Sequence, residues 1–299
     1  MSTKYPVIAV TGSSGSGTST VKTAFEHIFY RENVTPCIVE GDSFHRFNRE
    51  EMRLEVKKAL AENSHVSHFG PEANLLDELE ALFSQYGETG AGKRRFYLHN
   101  DEEAARYGQE PGTFTDWEEI PGNTDVLFYE GLHGGSITTE ANVARHVDLL
   151  IGVVPIVNLE WIQKIHRDTK DRGYQANDVT DNILRRMHDY VHYITPQFSN
   201  TDINFQRVPT VDTSNPFIAR DIPTADESFI VIRFRDPAKF EVDFPFLLSM
   251  LQGSFMSRRN TIVVPGGKMG FAMEIILAPI IDQLMNRRRG SFKSERQRH

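Results

Sequence analysis

The apolar residues of this chain fall into two spacings. Unbroken runs at 7–10, 126–129 and 149–154 are short and bounded by turn residues, the pattern of strands buried on both faces. Residues 36–40 are β-prone, 229–234 read as a further strand, and 261–264 form a last apolar run before the turn Pro265-Gly266-Gly267. Segments of helical period lie between them. Residues 21–30 continue from the first strand and its loop, and 49–62 are charged and helix-prone. Residues 72–86 place Leu75, Leu76, Leu79, Leu82 and Phe83 on one helical face, ended by the glycines of 87–92. A helix from residue 158 or 159 to about 172 is stopped by Gly173. Residues 178–194 are helix-like and rich in Arg and His, and 269–285 form a closing helix. The polar stretch 93–122, punctuated by Pro and Gly, predicts an excursion with short elements.

Strands alternating with helices predict an α/β fold of three layers, a mixed, mostly parallel sheet flanked by helices. In such sheets ligands gather at the carboxyl ends of the strands. Four places follow apolar runs: the Gly12 loop, Asp42 with His45, Glu130 with His133, and the helix carrying Lys164.

Composition narrows the class. At 299 residues, 39% hydrophobic and 25% charged, the chain is an ordinary globular protein. A formal charge of -8 and a pI near 5.8 argue against a nucleic-acid partner. The basic residues concentrate at the end, where Arg287, Arg288, Arg289, Lys293, Arg296 and Arg298 face Glu295 alone. A single domain over 1–285 is therefore expected, followed by a basic, disordered tail over 286–299. Cys37 is the only cysteine, which excludes an intramolecular disulfide and suits a buried thiol. No apolar run approaches the ~20 residues of a membrane span. The first strand begins too early for a signal peptide, so a cytoplasmic protein without membrane contact is expected.

The chemistry begins at the first loop. Gly12, Ser13, Ser14, Gly15, Ser16, Gly17, Thr18, Ser19 and Thr20 join a strand to a helix, the setting of a phosphate-binding loop. Gly12, Gly17 and Ser19 fit the G-x-x-x-x-G-K-[ST] pattern, but Thr18 holds the lysine position. Backbone N–H groups can wrap nucleotide phosphates and Ser19 can face Mg²⁺, while the missing cation must come from elsewhere.

Asp42, after a strand and among His45, Arg46 and Arg49, suits a base for a substrate hydroxyl. A turn aspartate capping a helix would look the same. His45 and Arg49, spaced i, i+4, fit an anionic substrate group or a solvated face. Glu130 ends a strand, where an acidic residue beside a phosphate loop holds Mg²⁺, or else makes a salt bridge. Lys164, Arg167, Asp168 and Arg172 share one polar stripe of their helix, with Trp161, Ile162 and Ile165 turned to the core. Such a stripe is either a solvent face or the source of the missing cation. Beyond Gly173, Arg185 and Arg186 suit a lid, over about 170–200, closing on a nucleotide. His99 lies in a loop and carries little weight by itself. Cys37 and histidines 133, 166, 188 and 192 make no zinc pattern, and no G-x-S-x-G elbow is present.

Taken together, several runs resemble bacterial phosphoribulokinase, a family of the P-loop kinase superfamily. They are the loop at 12–20, Glu-Gly-Asp-Ser-Phe-His-Arg-Phe-Asn-Arg at 40–49, Phe-Tyr-Glu-Gly-Leu-His-Gly at 128–134, and Asn-Leu-Glu-Trp-Ile-Gln-Lys-Ile-His-Arg-Asp at 158–168. Asp-Ile-Asn-Phe-Gln-Arg-Val-Pro at 202–209 and Val-Asp-Thr-Ser-Asn-Pro-Phe-Ile-Ala-Arg at 211–220 belong with them. The likeness covers residues 4 to about 285 and includes the threonine in the loop.

The resemblance implies a P-loop NTPase, nucleoside-monophosphate-kinase-like fold. It also implies transfer of the ATP γ-phosphoryl group to O1 of D-ribulose 5-phosphate in the Calvin cycle. Asp42 is then the general base, Glu130 with Ser19 the Mg²⁺ site, and Asp168 a second carboxylate near the reacting groups. Lys164 replaces the loop lysine and Arg167 assists it, while His45, Arg49, His99 and Arg172 bind the sugar phosphate. The thiol switch of the plant and cyanobacterial enzymes is missing, since Ser16 and Thr18 occupy the loop. The bacterial class implies instead activation by NADH, inhibition by AMP and an octamer, with Arg31, Arg233 and Arg258 at the NADH site. Two other readings stay open here: a relative acting on another hydroxyl such as uridine or pantothenate, and a nucleotide-binding regulator without turnover. A neutral acceptor would not need His45, Arg49 and Arg172 together.

Overall fold

The apolar run at 7–10 becomes the strand on which the fold is built. The computed structural model describes residues 4–12, 18–170, 173–219 and 221–296. Strand β1 (Val7–Gly12) is followed after the loop by α1 (Thr18–Arg31), β2 (Pro36–Glu40), α2 (Arg49–Ala61) and α3 (Leu76–Thr89). The excursion holds β3 (Lys93–Arg94), α4 (Asp101–Tyr107) and β4 (Glu118–Glu119), with β3 and β4 paired as a small separate ribbon. Then come β5 (Val126–Gly131), β6 (Leu149–Val154), α5 (Val157–Lys170), α6 (Ala176–Asp189), β7 (Ile203–Pro209) and β8 (Ser228–Phe234). The chain closes with α7 (Phe244–Met250), β9 (Phe255–Arg258), β10 (Thr261–Pro265) and α8 (Met269–Arg296).

Eight strands form one sheet in the order β2-β5-β1-β6-β7-β8-β10-β9. The first five run parallel and the last three are joined antiparallel. Strand alternation sorts the core into two layers. Ile8, Val10, Phe128 and Ile151 turn to Phe25 and Ile28 of α1 and to Met273, Ile276 and Ile280 of α8. Val7, Ala9, Leu127, Tyr129 and Leu150 turn the other way, to Leu79, Leu82, Phe83 and Tyr86 of α3. The expected three layers are therefore present. Cys37 is buried in the second layer, where burial pushes its thiol pKa up, as befits an inert core thiol.

Several boundaries differ from the sequence expectation for local reasons. Helix α3 starts at Leu76, because Leu75 N–H donates to Phe44 O and a 3₁₀ turn occupies Pro71–Ala73. The helix expected over 178–194 ends at Asp189 and passes into a single π turn (Tyr190–Ile194) and a 3₁₀ turn (Thr195–Ser199). The tail expected to be disordered instead prolongs α8 to Arg296; Arg288 reaches back to Asp125 Oδ1 at 2.9 Å. By length and composition α8 could cross a membrane, but half of that apolar window is buried, and Met273, Leu277 and Ile281 lie in the first core layer.

Candidate active site

The carboxyl ends of β1, β2 and β5 lie side by side, with Val10, Glu40 and Glu130 in one register. Two glycines make the close approach that the site requires. A Cβ on Gly41 would meet Gly131 Cα at 2.8 Å, and one on Gly131 would meet Gly41 Cα at 2.6 Å. Only bare backbone fits at both positions, so the turn after β2 lies flat against the end of β5.

That turn, Gly41–Phe44, carries Asp42. His45 Nε2 lies 3.2 Å from Asp42 Oδ1, and His99 Nε2 lies 3.9 Å from Oδ2. The side chain is 43% exposed, so part of it is open to solvent while protein walls the rest. Burial pushes the Asp42 pKa up; the His45 hydrogen bond and the charges of His45, His99 and His68 outweigh it, bringing the pKa down to about 2.

His45 is buried, and its Nδ1 lies 2.8 Å from Asn74 Oδ1. Asn74 spends its Nδ2 on the carbonyls of His68 and Gly70, so its Oδ1 is an acceptor. Both His45 nitrogens therefore face acceptors. Arg49 donates to His99 O at 2.9 Å, so Arg49 and His99 sit beside Asp42 and His45.

A second cluster sits on α5. Asp168 is 4% exposed and accepts Lys164 Nζ at 2.6 Å on Oδ2 and Arg167 Nε at 3.1 Å on Oδ1. Burial draws the Lys164 pKa down while Asp168 opposes it. Burial raises that of Asp168, but Lys164 and Arg167 bring it below the usual carboxylate value. Ile165 packs on Val179 and Ile183 of α6, with Trp161 alongside, which seats the lid helix on α5. Arg186 of that helix lies over Phe69, its centroid distance 5.7 Å. Burial, then the charge of Arg185, lowers its pKa to about 10, against Asp168 and Asp189. Arg186 acts electrostatically on Lys164 and also on His68, which belongs to the Asp42 side. The two clusters thus share a neighbour. Arg185 donates to Asn182 Oδ1 within its own helix.

Glu130 points to the same side of the sheet as Phe128 and Val10, the side covered by α1. No group of three His, Cys, Asp or Glu gathers among the described residues. Glu130 is a single carboxylate of the kind Mg²⁺ takes, since that ion binds one or two carboxylates and completes its shell with phosphates and water. Of the expected loop residues, Gly12 ends β1 and Thr20 lies in α1. Ser13, Ser14, Gly15, Ser16 and Gly17 lie outside the described residues, as do Arg172 and the side chains of Thr18 and Ser19. The three arginines expected at an effector site stand on three different elements. Arg233 and Arg258 both stand in register with Thr261, and Arg233 donates to Phe198 O on the face away from α1. Arg31 sits on α1, paired with Glu32 and near Glu274 of α8.

Sequence inspection missed the residues that hold the Asp42 turn. Arg95 donates to Ser43 O at 2.8 Å and to His45 O at 2.7 Å, with its guanidinium 3.8 Å over Phe114 and 4.8 Å over Trp117. Its signal was the aromatic and basic run Arg94-Arg95-Phe96-Tyr97. Gln197 ties Thr11, Leu132 and Gly135 to the base of the lid, and no sequence motif marks it. His133 donates from Nε2 to His68 O at 2.9 Å and receives Ser136 Oγ at 3.1 Å on Nδ1.

His133 makes stability depend on pH. Burial is the main cause that lowers its pKa from 6.5 to about 4. Between those values the unfolded chain binds a proton that the folded chain refuses, so stability falls as pH drops through that window. Urea unfolding should show a loss of about 2 kcal/mol from pH 7 to pH 5 from this group, and a shallower slope in His133→Gln. An identical slope in the variant would show that His133 is not the source. Asp42 acts lower: its contribution is complete above pH 3.8 and is lost as pH falls through about 2.

The model of the "Phosphoribulokinase / Uridine kinase family" matches residues 7–214. A protein called chromosomal phosphoribulokinase, from Cupriavidus necator, is 61% identical over 290 residues, 97% of this chain and 99% of its own. A probable phosphoribulokinase of Escherichia coli is 60% identical over 285 residues, 95% of this chain and 98% of its own. The solved structure of phosphoribulokinase from Rhodobacter spheroides superposes with a TM-score of 0.88 at 56% identity, covering 96% of this chain and all of that one. A match of this length and identity, on a sheet that brings Gly12, Asp42 and Glu130 to one edge, places the chain in the phosphoribulokinase and uridine kinase family.

Proposed function

We propose that this chain transfers the γ-phosphoryl group of ATP to O1 of D-ribulose 5-phosphate, giving ribulose 1,5-bisphosphate and ADP. The observation that carries it is the ionised Asp42, held by His45 at the carboxyl end of β2, with the cations Lys164 and Arg167 linked to the same side through Arg186. Near-full-length identity to proteins named phosphoribulokinase supports the choice of acceptor.

Asp42 takes the proton of the acceptor hydroxyl as O1 attacks the γ-phosphorus, and the bond to the β–γ bridging oxygen breaks to release ADP. Gly12 through Thr20 wrap the phosphates. Lys164 and Arg167 stabilise charge on the equatorial and leaving oxygens, with Asp168 holding both in place. Glu130 and Ser19 hold Mg²⁺, which neutralises phosphate charge when bound. Arg49, His99 and Arg172 bind the sugar's phosphate. His45, with both nitrogens committed, serves Asp42 and the acceptor indirectly. Arg185 and Arg186 ride on the lid.

The resemblance extends the proposal to regulation: activation by NADH, inhibition by AMP and assembly as an octamer in the cytoplasm. Such an effector would touch Arg31 of α1, Arg233 of β8 and Arg258 of β9.

Coupled ADP release should appear with ribulose 5-phosphate and Mg-ATP, and not with uridine or pantothenate. Asp42→Asn should lower kcat by about 10²–10⁴ with little change in the KM for Mg-ATP; unchanged turnover rejects Asp42 as the base. Arg95→Met keeps most of the side-chain volume but frees the carbonyls of Ser43 and His45. It should lower kcat/KM for the sugar phosphate about tenfold or more, again sparing Mg-ATP. Equal losses for both substrates would show a general structural defect instead.

A further inference from the structure

His68 stands where the two charge clusters meet. Its ring lies over that of His45, 4.0 Å between centroids and 25° between planes. Asp42 and Arg186 both act on it electrostatically. The segment bearing it is fixed through other atoms. Its carbonyl accepts from Asn74 Nδ2 at 3.0 Å and from His133 Nε2 at 2.9 Å. The preceding Ser67 gives its hydroxyl to Asp189 Oδ2, at 2.6 Å, at the end of the lid helix. The imidazole is thus held by stacking and backbone, without use of its own Nδ1.

The neighbouring histidines are different. His45 commits both nitrogens, to Asp42 and Asn74, and His133 commits both, to His68 O and Ser136. His68 Nδ1 is buried with no hydrogen-bond partner among the described residues. Buried polar atoms are rarely left so, and each one needs an explanation. A ring needed only for packing could have been phenylalanine. Burial, then the charges of His45 and Arg186, hold the imidazole neutral at ordinary pH. A neutral ring nitrogen is a poor anchor for phosphate and a good partner for an uncharged hydroxyl, which both donates and accepts.

The acceptor offers such groups. Ribulose 5-phosphate carries hydroxyls next along the chain from the reacting O1 that Asp42 faces, and His68 is stacked on His45, the partner of Asp42. We propose that His68 hydrogen-bonds a hydroxyl in the middle of the acceptor's carbon chain, and so helps select which polyhydroxyl phosphate is phosphorylated. This rests on the sugar-phosphate kinase activity proposed above.

The test compares the full-length parent with His68→Phe and His68→Asn. Phenylalanine keeps the stacking but has no ring nitrogen, and the asparagine amide restores a polar group near the position of Nδ1. In His68→Phe the KM for ribulose 5-phosphate should rise about tenfold to a hundredfold while that for Mg-ATP stays within about twofold. His68→Asn should recover most of the loss. Preference for ribulose 5-phosphate over its C3 epimer should narrow in His68→Phe. The ligand-free His68→Phe protein should melt at or above the parent temperature, because an unsatisfied buried nitrogen has been removed. An unchanged KM, or an equal loss in both variants, overturns the role of His68 while leaving the activity standing. A parent without turnover on ribulose 5-phosphate overturns the activity, and this role with it.

Discussion

One buried carboxylate sets the cations of this molecule in place. Asp168, only 4% exposed, engages Lys164 with one oxygen and Arg167 with the other. A carboxylate so placed is costly without its partners, and two cations so close repel without it. Each therefore needs the others, and α5 presents the amine at a fixed point. That point matters because the phosphate loop carries Thr18 where a lysine is the usual choice. A lysine on a loop moves with it. One on α5 is tied to the lid helix through Ile165, Val179 and Ile183, so the cation and the lid are mechanically one unit.

The second cluster gathers around Asp42 at the carboxyl end of β2. Asp42 is kept ionised by His45, His45 is held between Asp42 and Asn74, and Arg95 clamps the turn from behind. Asp42 offers a carboxylate fit to accept a proton, and Lys164 and Arg167 offer cations fit to receive phosphate. Arg186 acts on both groups, through His68 on one side and Lys164 on the other. Phosphoryl transfer asks for little covalent help from protein and much from alignment of charge. The two clusters supply that alignment from separate elements, which the register of the parallel strands brings to one end of the sheet.

Much of this was legible in the chain. The runs at 7–10, 126–129 and 149–154 fixed the sheet's centre, since only β structure buries such short apolar stretches on both faces. Asp42 and Glu130 could be singled out because they follow strands, and Lys164 because the loop lacked its lysine. Other features escaped for physical reasons. Strand β7, at the junction of the parallel and antiparallel parts, and β9, at the sheet's edge, carry mixed patterns. The π turn at 190–194 depends on packing of Tyr190 and Ile194 against the preceding segments, not on periodicity. Arg95 and His68 act through contacts with residues far along the chain, and nothing local announces them. The tail looked disordered by charge, yet Asp125 gives Arg288 a partner that composition does not reveal.

The account stands on Lys164 acting as the cation that the loop lacks. Its most direct test is the single-turnover rate of phosphoryl transfer from bound ATP to ribulose 5-phosphate in Lys164→Met. A fall of about 10²–10³-fold is predicted, with the KM for the sugar phosphate changed only a few-fold. A rate within about twofold of the parent would contradict the account, because the charge on the migrating group would then be met by some other residue.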